Sequence, residues 1–372
     1  MQGTIIIENR KEKEFTDMNW KKTIVPAVLG CMLLSGCMEQ REQAQQMLEN
    51  QKDPLRHEAT TFAMDTVMTF TIYDEDGEEL LIDAEQEIRR LENMLSVTME
   101  ESDISRLNGK AGQEAVKISE DTVRLLQMGK EFYAETNGCF NIAISPVVKA
   151  WGFTEAEHRV PTQAELDTLL PLTDPEDIVI EGDTAYLAKE CMAVDLGGIA
   201  KGYASDTVAA LLRQKGAESA VFTLGGNVCA IGTKPDGTQW RTAVANPLDA
   251  SDYVGLLSVT DACVVTSGGY QRYFEQDGKT YHHIIDPATG MPTENELLSV
   301  TIVCENGAKA DTLSTALFVM GLEEASAYWK SHTDFEVIFV TKDGQVIATE
   351  GLENSFTFEG QDNDFVYTVM KR

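Results

Sequence analysis

The apolar positions of this chain fall into short runs separated by turn residues. Residues 62–73 (FAMDTVMTFTIY) are rich in β-branched and aromatic side chains and read as a strand. Within 83–95, Ala84, Ile88, Leu91 and Leu95 recur at helical spacing, which predicts a helix with one apolar face. A second helix is predicted over about 120–136, stopped by Asn137-Gly138. Thr162 with Glu165 three residues later forms a capping box and opens a short third helix. Strand-like runs follow at 177–188, 191–196, 219–232, 239–245, 254–266 and 297–304, and helical ones at 201–214, 309–320 and 322–331. The stretch 335–360 reads as a hairpin or meander turned at Lys342-Asp343-Gly344. Strands grouped together with interspersed helices predict an α+β domain rather than regular βαβ alternation.

The N-terminus follows a different pattern. In residues 20–37 (WKKTIVPAVLGCMLLSGC), two lysines precede a dozen mostly apolar residues and the small-residue end Leu34-Ser35-Gly36-Cys37. That is the plan of a bacterial lipoprotein signal with Cys37 as the lipidated residue. The apolar run is too short for a membrane span, which needs about 20 residues. Such signals start just before their basic residues, so residues 1–17 read as a start called too early, with the signal over 18–36. Residues 37–57 are polar and rich in Gln and Glu and read as a tether, leaving 58–372 as the folded domain. The chain is thereby expected on the extracytoplasmic face of a bacterial membrane, touching it through the lipid anchor only.

A length of 372 residues allows one large domain or two modest ones. Charge narrows the partners: 30 Lys+Arg against 61 Asp+Glu leave a net −31, a mean field that repels nucleic acid and anionic membrane surfaces. An anionic ligand needs local cations or a metal to reverse that field. Beyond the signal and Cys37, five cysteines remain, widely spaced and without a CxxC. That pattern predicts neither a disulfide framework nor a zinc site, and Cys263 and Cys304 read as small buried hydrophobes.

Candidate chemistry sits where glycines punctuate the strands. In 194–203 (VDLGGIAKGY), an apolar run ends in Asp195 and two glycines, then a helix opens with Lys201 in its first turn. Glycines let a ligand approach the backbone, and a helix N-terminus with a lysine suits phosphate; a tight strand-to-helix turn capped by Asp195 is the structural alternative. In 282–292 (HHIIDPATGMP), a histidine able to take a proton near neutral pH precedes a rigid loop, although a histidine on a strand is often purely structural. In 308–316 (AKADTLSTA), Asp311, Ser314 and Thr315 stand at i, i+3 and i+4. Three hard oxygens on one helix face suit Mg²⁺, while an Asp cap followed by ordinary polar positions explains the same residues. Gly225-Gly226-Asn227 and 266–270 (TSGGY) are either plain turns or walls of a cleft. Neither a GxGxxG after a strand nor a phosphate-binding P-loop occurs.

Taken in order, the motifs at 195–203, 225–227, 267–270, 283–290 and 310–316 resemble the ApbE family of flavin transferases over nearly the whole domain. The resemblance implies a single domain of mixed, largely antiparallel sheet with packed helices. It also implies Mg²⁺-dependent transfer of FMN from FAD to a Thr or Ser hydroxyl of a target protein, with AMP released. Targets would carry an Asp-x-x-Ser/Thr-Gly-Ala-Ser/Thr motif, as in redox-pump subunits of the Rnf or Nqr type. Alternatives on the same site are hydrolysis of FAD to FMN and AMP, and a non-catalytic flavin-binding lipoprotein. By motif, His283 corresponds to the general base, and the Gly198 carbonyl, Asp311, Ser314 and Thr315 to the metal shell. Met64, Thr98, Cys139, Phe140, Asn141, Asp195, Lys201 and Ile285 correspond to FAD contacts. Thr98 stands where the family often has an aromatic, and Asn141 where it commonly has Asp.

Overall fold

The computed structural model describes residues 55–154 and 157–372; the signal, Cys37 and the tether up to residue 54 lie outside the described residues. In chain order the strands are β1 (Arg56–Ala63), β2 (Thr66–Tyr73), β3 (Val116–Lys117), β4 (Ile178–Glu181), β5 (Thr184–Leu187), β6 (Ala220–Leu224), β7 (Asn227–Ile231), β8 (Trp240–Asn246) and β9 (Asp249–Val259). They continue with β10 (Cys263–Gly268), β11 (Tyr273–Gln276), β12 (Lys279–His282), β13 (Leu297–Cys304), β14 (Glu336–Thr341), β15 (Gln345–Thr349), β16 (Phe356–Phe358) and β17 (Val366–Met370). The α-helices are α1 (Gly77–Leu95), α2 (Asp103–Gly109), α3 (Glu120–Glu135), α4 (Ser145–Trp151), α5 (Gln163–Leu169), α6 (Ala200–Gln214) and α7 (Gly307–Ser331).

One nine-stranded sheet carries the molecule, in the order β1-β2-β6-β7-β10-β13-β14-β15-β17. Every neighbouring pair in it is antiparallel except β15 with β17. The α+β expectation holds. Both faces of the sheet are covered, which is why β6, β7 and β14 read as unbroken apolar runs instead of alternating ones. On β6, Ala220, Phe222 and Leu224 face the core beneath α1 and α6, while Val221 faces the small sheet β16-β9-β8. On β14, Val337 and Phe339 pack with α7, and Ile338 and Val340 with the small sheet.

Several long runs turn out to be hairpins. The run 62–73 breaks at Met64 and Asp65, with φ of 48° and 58°, the left-handed pair of a tight two-residue hairpin turn. The run 219–232 breaks likewise at Gly225-Gly226, and 177–188 at Gly182. The 191–196 run is not a strand. Asn108 holds it instead, donating from Nδ2 to the Val194 carbonyl and accepting the Val194 N–H, at 2.9 and 2.8 Å. β1 begins at Arg56, so the last residues read as tether belong to the sheet. The two helices expected at 309–320 and 322–331 are halves of α7, interrupted by Gly321 at φ 75° and ψ 173°.

The cysteine expectation is corrected. Cys229 on β7 faces Cys263 on β10 across the antiparallel ladder, and the two form a disulfide. Neighbouring strands supply that partner although 34 residues separate the pair in sequence. Cys304 does stay a buried thiol, pushed by burial up to about 12.

Candidate active site

The site is built where α6 crosses α7. Gly202 permits that crossing: a Cβ there would lie 2.1 Å from the Gly307 carbonyl oxygen and 2.7 Å from Asp311 Cβ. At this distance the Gly202 N–H donates to Asp311 Oδ2 at 2.9 Å, so a buried carboxylate on one helix is held by the backbone of the other. Lys201 Nζ donates to the Gly197 carbonyl at 2.9 Å and stands 3.9 Å from Asp311 Oδ2. The N-terminus of α7 is already closed by Asp206, which accepts the Gly307 and Ala308 N–H groups, and by Asn306, which accepts that of Lys309. Burial raises the Asp206 carboxyl above its ordinary value despite those bonds, and Asp311 adds to the rise.

Toward the glycines, the Asp195 N–H donates to the Ile142 carbonyl at 2.8 Å, and Asp195 Oδ1 accepts the Gly197 N–H at 2.7 Å. A Cβ at Gly198 would sit 3.0 Å from the Phe140 ring, so 139–142 and 195–202 form one wall. Asn141 is buried and fully engaged: Nδ2 donates to the Thr173 carbonyl and Oδ1 accepts the Ala143 N–H. A carboxylate in its place could not make the first of these bonds. Cys139 is half-buried; burial, then Glu324 and Asp286, push its thiol up to about 11.

Ser314 and Thr315 meet a third hydroxyl that sequence reasoning did not single out. Ser267, at the end of β10, lies 2.8 Å from Ser314 Oγ and 3.2 Å from Thr315 Oγ1. It lay inside the 267–270 motif without a role assigned to it. One carboxylate with several neutral oxygens is a donor set of the right hardness for Mg²⁺. Among the described residues no three His, Cys, Asp or Glu side chains gather as a metal-binding group, so this shell rests on one carboxylate and neutral oxygens. The residues therefore fit the expected ion.

His283 follows β12. Its N–H donates to the Arg272 carbonyl, and its Nδ1 lies 3.1 Å from the same oxygen. A carbonyl only accepts, so Nδ1 carries the proton and Nε2 keeps a free lone pair. Burial pushes this imidazole down to about 4, and the charges of Arg272 and Lys201 act in the same direction, so the ring is neutral at pH 7. The Phe153 ring stands edge-on to it at 6.5 Å. His282 has a structural role, with Nε2 2.9 Å from the Thr293 carbonyl and its ring against Phe318. The loop beyond is organised by Asp286, which accepts from Ala288 and Thr289, while Trp151 Nε1 donates to the Gly290 carbonyl. Ile285 is buried with Val147, Trp151 and Leu166, so its backbone is what it can offer a ligand. Met64 is half-buried at the hairpin turn, its N–H donating to Glu92 Oε1 at 2.6 Å. Thr98 is exposed, and its hydroxyl bonds to Ser96 within its own loop.

This arrangement has relatives. The family model described as "ApbE family" matches residues 64–339. The chain belongs to the ApbE family. A relative named FAD:protein FMN transferase, from Klebsiella pneumoniae, is 39% identical over 265 residues, covering 70% of this chain and 82% of that protein. Another of the same name, from Vibrio cholerae, is 32% identical over 312 residues, covering 83% and 90%. Among solved structures, the ApbE protein of Thermotoga maritima superposes with a TM-score of 0.72 at 28% identity, covering 83% of this chain and 99% of its own. The flavin transferase ApbE of Vibrio cholerae superposes at 0.70, also at 28% identity, covering 84% and all of its own chain.

Proposed function

We propose that this chain is a FAD:protein FMN transferase. The observation that carries the reading is a neutral histidine, His283, whose imidazole feels the charge of Lys201, the lysine that stands 3.9 Å from Asp311 and its hydroxyl neighbours. The names of the ApbE relatives supply the substrates. In the reaction, the hydroxyl oxygen of a target Thr or Ser attacks the flavin-side phosphorus of FAD. The bond from that phosphorus to the bridging oxygen breaks, and AMP leaves with the bridging oxygen. The hydroxyl proton passes to His283 Nε2, whose basicity rises when the anionic substrate lies beside it. Lys201 supplies a point charge to the diphosphate, and the 139–142 and 195–198 wall bounds the bound dinucleotide. Mg²⁺, held by Asp311, Ser314, Thr315 and the Gly198 carbonyl, would neutralise phosphate charge in a molecule that otherwise repels it.

The acceptor would be a protein bearing the Asp-x-x-Ser/Thr-Gly-Ala-Ser/Thr motif, such as an Rnf- or Nqr-type redox-pump subunit. Lipidation at Cys37 would hold the enzyme on the extracytoplasmic face of the membrane. The test mixes the enzyme with FAD, Mg²⁺ and a motif-bearing acceptor, and follows AMP release together with in-gel flavin fluorescence of the acceptor. Flavin on the acceptor in step with AMP supports transfer. AMP and free FMN without labelled acceptor would mean hydrolysis, and FAD recovered intact would mean a binding protein. Asp311→Ala should abolish Mg²⁺-dependent turnover with the fold intact by circular dichroism; full labelling by that variant would sink the site assignment.

A further inference from the structure

The base is oriented by a residue that is itself a cation. Arg272 lies in the loop between β10 and β11, and its carbonyl receives both the N–H and the Nδ1–H of His283. Residue 272 is thus beside the base by construction. Its guanidinium is engaged lightly: it stands 3.5 Å from Asp65 Oδ2, with the two side chains 59% and 84% exposed. An ion pair that open to water contributes little and is readily exchanged for a better anion.

Three other cations of the domain are more heavily committed, and a fourth, Arg124, lies over the Tyr203 ring. Arg90 is shared between Glu87 and Asp121, Arg106 is bonded to Asp103 and the Lys117 carbonyl, and Lys201 is held by Gly197 with Asp311 close behind. Phosphoryl transfer demands that charge on the non-bridging oxygens be met. Lys201 is a point charge already partly offset by a carboxylate. A guanidinium offers a planar fork that takes two phosphate oxygens at once.

We propose that Arg272 moves from Asp65 onto the non-bridging oxygens of the phosphorus under attack and is a further catalytic residue of this site. The inference rests on the transferase reading and adds no bond-making step to it. The proton still goes to His283 Nε2 and the bridging oxygen still leaves with AMP; Arg272 contributes hydrogen bonds and charge. One residue then aims the base through its carbonyl and stabilises, through its side chain, the charge that the base's reaction creates.

The experiment compares wild-type protein with Arg272→Gln, Arg272→Lys and Asp65→Asn. It measures AMP release and acceptor labelling under saturating FAD and Mg²⁺, with kcat and KM separated and FAD affinity read by flavin fluorescence quenching. Urea midpoints confirm folding. Because the carbonyl that holds His283 is backbone, Arg272→Gln should leave FAD affinity within a few-fold and lower kcat about 10²–10³-fold, the loss typical of one transition-state donor. Arg272→Lys should recover part of that loss, and Asp65→Asn should turn over at least as fast as wild type. Wild-type kcat in Arg272→Gln overturns the inference. So does an Asp65→Asn variant as slow as Arg272→Gln, which would make the ion pair a structural latch. A wild-type protein that releases no AMP with any acceptor overturns the transferase reading itself, and is thereby distinguished from failure of Arg272 alone.

Discussion

Gly202→Ala is the sharpest test of how the two site helices are held. Alanine is the better helix former by about 1 kcal/mol, so propensity alone predicts a more stable protein. The geometry predicts the reverse. The new Cβ would stand 2.1 Å from the Gly307 carbonyl oxygen and 2.6 Å from its carbon, both backbone atoms that no rotamer change can remove. Restoring ordinary contact requires α6 and α7 to separate by about 1 Å. Overpacking of this kind costs about 1–3 kcal/mol, and the stretched Gly202 N–H to Asp311 bond adds about 1.5–3 kcal/mol because its acceptor is charged. After the propensity gain, a net loss of about 1.5–5 kcal/mol remains. The same displacement moves Asp311 away from Lys201 and the start of α6, and a 1 Å error in a catalytic constellation lowers turnover by about 10²-fold. Urea unfolding midpoints and AMP release measure the two effects. Gly109→Ala, at a helical position where a Cβ meets nothing within 4 Å, is the control and should be neutral or mildly stabilising. A Gly202→Ala protein with wild-type midpoint and wild-type turnover would refute the crossing as described.

His283→Ala should spare FAD binding, measured by fluorescence quenching, and slow acceptor labelling by about 10²-fold or more. Because burial holds the folded imidazole at about 4, below its ordinary value, kcat/KM of the free enzyme should fall only as pH drops through about 4. The same shift means the unfolded chain binds more protons between those two values. Stability from this group is therefore complete above the ordinary histidine value and is lost as pH falls from there toward about 4, as urea titrations across that window should show. Cys229→Ala with Cys263→Ala, or wild type under dithiothreitol, should lose about 2–4 kcal/mol of unfolding free energy, given a closed loop of 34 residues.

Local chemistry was legible in the chain; partnership was not. The capping box at Thr162 and Glu165, the helix stop at Asn137-Gly138, the break between the halves of α7 and the β14–β15 turn all lie within a few residues of sequence, and each formed where its local pattern places it. Order and spacing of the glycine-flanked motifs, with Asp311 and His283 among them, were enough to mark the family. What the pattern missed depends on residues distant in sequence. An apolar run such as 219–232 looks alike as one strand or as two, because both faces are buried and no alternation marks the fold-back. Asn108 as the clamp on Val194, Ser267 beside Ser314, and Arg272 as the holder of His283 are separated from their partners by up to 86 residues.

The sequence by itself determined which segments coil, which extend and which oxygens, nitrogens and glycines are available, since dihedral preference and turn chemistry act between near neighbours. The tertiary structure alone decided that Cys229 faces Cys263, that the Arg272 carbonyl takes His283 Nδ1 and not Nε2, and that Gly202 lets Asp311 reach a backbone N–H. Those outcomes are set by register across the nine-stranded sheet and by the helix crossing above it, distances that no local stretch of chain encodes.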